Sequence, residues 1–212
     1  MMAENTEVKT RPILFSGLMV RAILDGTKTQ TRRVVKPQPN GDMRSMVRST
    51  DNGGHWFFSN LPKGKGLFNI SGYDCAYPKC PFDCNQLWVR ETWQQIYPLG
   101  TWDHVAIAER PVYGNSHYRL LYAADHTDKQ PPRWRPSIHM PRWASRIDLE
   151  VTDVRVERLR EISADDIKAE GLPSGHWDEF SDLWDQLNEK RGFGWDTNPF
   201  VWVVSFKRIQ VQ

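Results

Sequence analysis

The residues best equipped for chemistry lie in one octet, Gly26-Thr27-Lys28-Thr29-Gln30-Thr31-Arg32-Arg33. It sets an amine, several hydroxyls and two guanidinium groups at an expected helix-to-strand turn, and turns present side chains to pockets rather than to a sheet face. The plainer reading is a basic strand edge kept soluble by Lys and Arg. A second set is Cys75, Cys80 and Cys84, in Cys-x4-Cys-x3-Cys spacing. Three thiolates on one loop could hold zinc with His55 or Asp83 as a fourth ligand. That spacing is not a standard knuckle, so buried thiols are the favoured reading and no cofactor is expected. No Walker loop, G-x-G-x-x-G or H-E-x-x-H occurs in the sequence. Triphosphatase, dehydrogenase and zincin chemistry therefore have no motif behind them.

These groups need elements to position them. Arg11 to Phe15 reads as a strand, and Ser16 as the N-cap of a helix with Leu18, Met19, Ala22 and Ile23 on one face. Gly26 supplies its left-handed end. The β-branched run from Thr27 to Val35 then favours a strand closed by Pro37 and Pro39. Residues 37–85 read as a long insertion with one hairpin around Trp56 to Phe58. Strands are expected at Leu87 to Trp93, Tyr118 to Ala123 and Ile147 to Leu159, the last with a bulge where the alternation slips at Thr152-Asp153. Ser163-Ala164-Asp165-Asp166 is a capping box, Ile162 and Ile167 its hydrophobic staple, and Gly171 the stop. A longer helix from about Asp178 to Lys190 shows Phe180, Leu183, Trp184 and Leu187 at helical spacing, with Gly192 beyond it. Phe200 to Ile209 closes the chain as a strand. Such an order lacks regular βαβ alternation and points to an α+β fold, a small twisted or closed β structure with helices at its rim.

Composition narrows the class. The chain has 212 residues, 39% hydrophobic and 25% charged, which suits one globular domain with insertions. Its apolar runs are far shorter than the roughly 20 residues of a membrane helix, and Met1 to Thr10 reads as a loose polar tail rather than a leader. An odd count of 3 Cys suits a reducing cytoplasm. Charge is uneven: residues 1–48 carry 9 Lys/Arg against 4 Asp/Glu, residues 131–146 hold four Arg and no acid, and residues 148–189 hold 13 Asp/Glu against 4 Lys/Arg. With 10 Trp, a basic face among aromatic rings suits nucleotide or nucleic-acid contact; a solvated basic surface over a Trp-rich core is the alternative.

The pattern Gly26-x-Lys28-x-x-Thr31-x-Arg33, behind a short strand and helix, resembles the signature of the ASCH family, whose members adopt a PUA-like β-barrel. Leu87-Trp88-Val89-Arg90-Glu91-Thr92, Ile162-Ser163 to Glu170-Gly171-Leu172 and Pro199 to Phe206 continue the resemblance. Met140-Pro141-Arg142-Trp143-Ala144-Ser145-Arg146 is similar to the long phage and prophage members. The resemblance implies a PUA-like small mixed β-barrel over residues 11–212, with insertions at about 37–85 and 94–146 and a tail at 1–10. One branch of the family hydrolyses N4-acetylcytidine to cytidine and acetate with a Lys, a Thr and a Glu, which fall here at Lys28, Thr31 and Glu170. It implies an amidohydrolase acting on an N4-acylated cytidine, as a nucleoside or within single-stranded nucleic acid, RNA above all, in a bacterial cytoplasm. The other activities it admits are a non-catalytic RNA- or DNA-binding module and a ribonuclease.

Amide hydrolysis needs a nucleophile, a proton acceptor and a donor facing the oxyanion. Thr31 is the nucleophile or orients the water. If Lys28 and Glu170 touch, Glu170 as base with Lys28 as oxyanion stabiliser is the easier arrangement, since bringing a lysine from about 10.4 to about 7 requires roughly 4–5 kcal/mol. Lys28 as base requires burial and separation from Glu170. For Glu170 the plainer reading is a surface residue in a helix's last turn. Substrate contact is expected from Arg33, Arg90, Trp93, Arg142, Trp143 and Arg146, through guanidinium on phosphate and indole on base. Glu91 either accepts from the cytosine amine or pairs with Arg90.

Overall fold

A computed structural model describes residues 8–38, 45–48, 56–59, 80–82, 84–96, 119–126 and 133–210. Cys75, His55 and Asp83 lie outside the described residues. The element order is β1 (Thr10–Leu14), α1 (Gly17–Leu24), β2 (Gln30–Val34), β3 (Ser45–Arg48), β4 (Trp56–Ser59), β5 (Gln86–Arg90), β6 (Trp93–Ile96), β7 (Arg119–Tyr122), β8 (Asp148–Arg158), α2 (Ala164–Ala169), α3 (Trp177–Asn188) and β9 (Phe200–Arg208). The fold is α+β. Its main sheet is mixed and runs β1-β5-β8-β9-β2, with separate antiparallel pairs β3-β4 and β6-β7. Among the described residues the sheet is open: β1 and β2 end the order and do not pair with each other. By its contacts the chain forms two compact units, 1–26 with 85–150 and 207–212, and 27–84 with 151–206.

In the first unit β1 runs parallel to β5 from Thr10–Gln86 to Leu14–Arg90, and β5 lies antiparallel to the start of β8. In β5 the consecutive residues Leu87, Trp88 and Val89 are all buried, so both faces of the strand are covered and it shows no in-out alternation. The single strand expected at 87–93 stops at Arg90. Trp93 opens β6 instead, which pairs with β7, and packs with Leu120, Tyr122, Met140 and Ala144. Helix α1 buries Val20 and Ile23 and leaves Leu18 exposed, so its inner face is turned from the one expected. Ser16 has extended backbone but makes no side-chain cap bond. Gly26 adopts φ 78°, the left-handed conformation that ends the helix.

The second unit pairs β2 antiparallel to β9 from Gln30–Ser205 to Val34–Val201. Strand β8 runs unbroken through Thr152 and Asp153, both exposed, and its burial changes phase there. Helix α2 starts at the capping box foreseen in the sequence: the Ser163 hydroxyl accepts from the Asp166 N–H, and the Asp166 carboxylate accepts from the Ser163 N–H. It ends at Glu170, with Gly171 at φ 89°. Ile162 and Ile167 join Leu159, Leu172, Phe180, Trp184, Val201 and Val203 in one core. That core pulls α2 and α3 onto the sheet, which fixes where the end of α2 lies.

Candidate active site

Lys28 and Glu170 are 142 positions apart in sequence and meet through a backbone device. Lys28 forms a single antiparallel β-bridge with Glu170, and the Thr29 N–H donates to the Ala169 carbonyl at 2.8 Å. This stitches the entry to β2 onto the last turn of α2. Across the stitch the Lys28 ammonium donates to Oε2 of Glu170 and to the Glu170 backbone carbonyl, each at 2.7 Å. The second bond caps a helix C-terminus, where a cation is favoured and a carboxylate alone is not. Lys28 is 3% and Glu170 6% exposed. Glu170 is therefore no surface residue.

Arg32, a residue that sequence reasoning passed over, completes the cluster. Its guanidinium is buried and donates from Nη1 to Oε1 of Glu170 at 3.2 Å and to Oε1 of Gln30 at 2.7 Å. From Nη2 it donates to Oε1 of Glu157 at 2.5 Å, with Oδ2 of Asp166 at 3.4 Å. Asp166 and Glu170 stand one turn apart on α2 and share a face, so one planar fork spans both. Arg155 backs the acids, with Nε on Glu157 at 3.2 Å and Nη2 on Asp166 at 3.0 Å. The available signal was the opposition of a basic N-terminal segment and an acidic 148–189 stretch. Its basic residues Lys28 and Arg32 face inward onto Glu157, Asp166 and Glu170 rather than forming an outward basic face.

Thr31 lies in β2 one position from Arg32, and the pleat sends its side chain to the opposite face from Gln30 and Arg32. It is buried, and its hydroxyl makes no hydrogen bond to Lys28 or Glu170 among the described residues. Arg33 is half-buried, with Nη1 at 3.4 Å from the Arg32 carbonyl, and its guanidinium is close enough to act by charge on both Lys28 and Glu170. The structure thus joins two of the three expected catalytic side chains by direct contact and leaves the hydroxyl apart.

Burial pulls the Lys28 ammonium below the ordinary lysine value. Glu170 opposes this by charge and hydrogen bond, and Arg33 and Arg32 add to the lowering. Asp166 lies below the usual carboxylate range: burial raises it, but the Ser163 hydroxyl, the Ser163 backbone and the Arg32 charge outweigh that. A carboxylate offers about four acceptor positions, and the Lys28 and Arg32 contacts use two on Glu170. The rest can take a proton from water while the adjacent ammonium faces developing negative charge.

The expected substrate residues of the first unit are placed differently from one another. Glu91 is buried and its partner is Arg146, not Arg90: Nε and Nη2 of Arg146 hold its two oxygens at 2.9 and 3.0 Å. The same guanidinium grips Asp125 at 2.6 and 2.8 Å and lies 4.0 Å from the Tyr122 ring centre, so four of its five N–H groups are taken by carboxylate oxygens of the protein. Burial raises Glu91 above the usual carboxylate range, against the bonds from Arg146. Trp93 is buried, and its indole N–H finds no partner among the described residues. Trp143 stays 46% exposed, edge-on to Trp93 at 5.7 Å. Arg142 pairs with Asp148 at 2.8 Å, and Arg90 and Arg142 lie 4.8 and 5.8 Å from the Trp88 ring centre.

Cys80 is buried and Cys84 half-buried. Among the described residues no group of three or more His, Cys, Asp and Glu side chains is arranged to hold a metal, and no helix is long and apolar enough to cross a membrane. No family model, curated protein or solved structure matches the chain.

Proposed function

We propose that this is an ASCH-type protein with a PUA-like fold, working in a bacterial cytoplasm as an amidohydrolase that removes the acyl group from N4 of a modified cytidine, free or in RNA. The observation that carries the reading is the buried contact of Lys28 with Glu170, the ammonium and carboxylate at two of the motif's three positions. In the reaction Glu170 accepts a proton from water, and the resulting hydroxide adds to the acyl carbon. Lys28 faces the oxyanion. The C–N bond then breaks, the proton passes from Glu170 to N4, and acetate and the free cytosine amine leave. Thr31, whose hydroxyl is on the opposite face of β2 from Arg32, has no step in this scheme. The half-exposed Trp143 beside Arg142 favours a second reading, a nucleic-acid-binding module without turnover.

Incubation with N4-acetylcytidine, following acetate and cytidine by chromatography, separates the two. Release abolished by Glu170→Gln, with the fold kept, supports the hydrolase. Absence of release together with salt-dependent oligonucleotide binding rejects it in favour of the module.

A further inference from the structure

Arg32 has no place among the motif's positions, yet it is the most heavily engaged side chain of the cluster. Its two terminal nitrogens divide between opposite sets: Nη2 goes to Glu157 and Asp166, Nη1 to Gln30 and Glu170. Its Nε, also buried, has no partner among the described residues. A guanidinium placed only to satisfy itself would not leave a buried N–H unmade, at about 1–3 kcal/mol. The orientation instead serves the acids that it joins.

We propose that Arg32 is a positioning residue for Glu170, holding Oε1 so that Oε2 stays aimed at the Lys28 ammonium. Two cations gripping different oxygens fix both the position and the rotation of a carboxylate, which one cation alone leaves free to turn. The brace behind Arg32 is itself fixed. Glu157 comes from the middle of the sheet, and Asp166 is held by its cap bonds to Ser163. The groups around the pair are Arg32 and Arg33 from β2, Arg155 and Glu157 from β8, and Asp166 from α2. An arginine suits this task and a lysine does not, because a single ammonium cannot reach Glu157 and Glu170 along two directions at once.

The inference rests on the hydrolase reading for its purpose but not for its test. In protein carrying 15N,13C-lysine, the Lys28 ammonium signal, assigned by its loss in Lys28→Arg, reports the contact with Oε2 directly. Arg32→Gln is expected to shift and broaden that signal as its protons exchange faster, while the remaining amide spectrum stays native; Arg32→Lys should give a partial effect. If the wild type releases acetate, Arg32→Gln should lower kcat about 100-fold with KM little changed, and Arg32→Lys should recover only part. An unmoved Lys28 signal in folded Arg32→Gln overturns the proposal whether or not the protein is a hydrolase. Should Arg32→Gln not fold, Arg32→Lys decides: a shifted Lys28 signal supports positioning and an unchanged one refutes it. Loss of acetate release in the wild type with the Lys28 shift intact refutes only the activity.

Discussion

Replacing either partner of the Lys28–Glu170 contact should be costly, and by unequal routes. In Lys28→Met, Glu170 keeps Arg32 at 3.2 Å on Oε1 but loses a charge-assisted bond at 2.7 Å, and its backbone carbonyl loses a donor. The bond to the charged carboxylate is worth about 1.5–3 kcal/mol and the carbonyl bond about 1, giving about 2.5–4 kcal/mol in all. In Glu170→Gln, Lys28 keeps its bond to the residue-170 carbonyl but loses the carboxylate charge, while Arg32 and Arg33 still act to lower its pKa. It then sheds its proton, which at pH 7 limits the loss to about 4–5 kcal/mol, the free energy of deprotonating an ordinary lysine. The double variant removes both charges and should lose at least about 2 kcal/mol less than the sum of the single losses. Urea unfolding followed by Trp fluorescence measures all three, because Trp184, Trp195 and Trp202 belong to the same unit as the pair. Single losses within about 0.5 kcal/mol, the behaviour of an exposed ion pair, would refute both the burial and the site built on it.

Two further outcomes follow from other charged groups. Because the Asp166 carboxyl is held below its ordinary value, its contribution is present above about pH 4, the unfolded value, and is lost as pH falls through the folded one. Asp166→Asn should therefore flatten the acid limb of a stability–pH curve below about pH 4; an unaltered limb argues against the cap-and-Arg32 arrangement. Glu91 is shifted the other way, so its contribution is full below the unfolded value of about 4.3 and falls as pH rises through its higher folded value. Arg146→Met strands that buried carboxylate and should cost about 3–5 kcal/mol at pH 7.5, and less at pH 5, nearer the carboxylate's unfolded value. Equal losses at the two pH values, read by thermal denaturation, would show that Glu91 is not the stranded group.

Local rules made much of the second unit legible. The Ser163–Asp166 box, the Ile162–Ile167 staple and Gly171 mark α2 without reference to anything distant, and Phe180 and Trp184 mark the inner face of α3. Where burial comes from several sides, periodicity fails. Helix α1 is apolar at Leu18, Met19, Val20, Ala22, Ile23 and Leu24, so its sequence cannot select an inner face; the structure selects Val20 and Ile23. Strand β5 is buried on both faces and so shows no alternation, which concealed its end at Arg90. Within the site, Lys28 and Glu170 came from a pattern of family resemblance, not from any rule that joins distant residues. Arg32 was unreadable because a basic doublet at a strand edge looks the same whether it faces solvent or three carboxylates.

The charge segregation of the sequence has a physical consequence that its net value of +2 hides. Burying Lys28 and Arg32 with Glu157 and Glu170 gains little stability over an apolar cluster of the same volume, because desolvation offsets most of the attraction. Such a cluster does gain definition. An apolar contact between the β2 entry and the end of α2 could slide, whereas bonds of 2.7 Å from one ammonium to both a helix carbonyl and a carboxylate fix register and rotation together. If the charges served the fold alone, an apolar replacement of the whole cluster would keep everything the protein does. Under the hydrolase reading it would keep the fold and lose the reaction, because a proton acceptor and an oxyanion donor must stand beside each other before substrate arrives. That separation of stability from turnover is what distinguishes a site from a staple here.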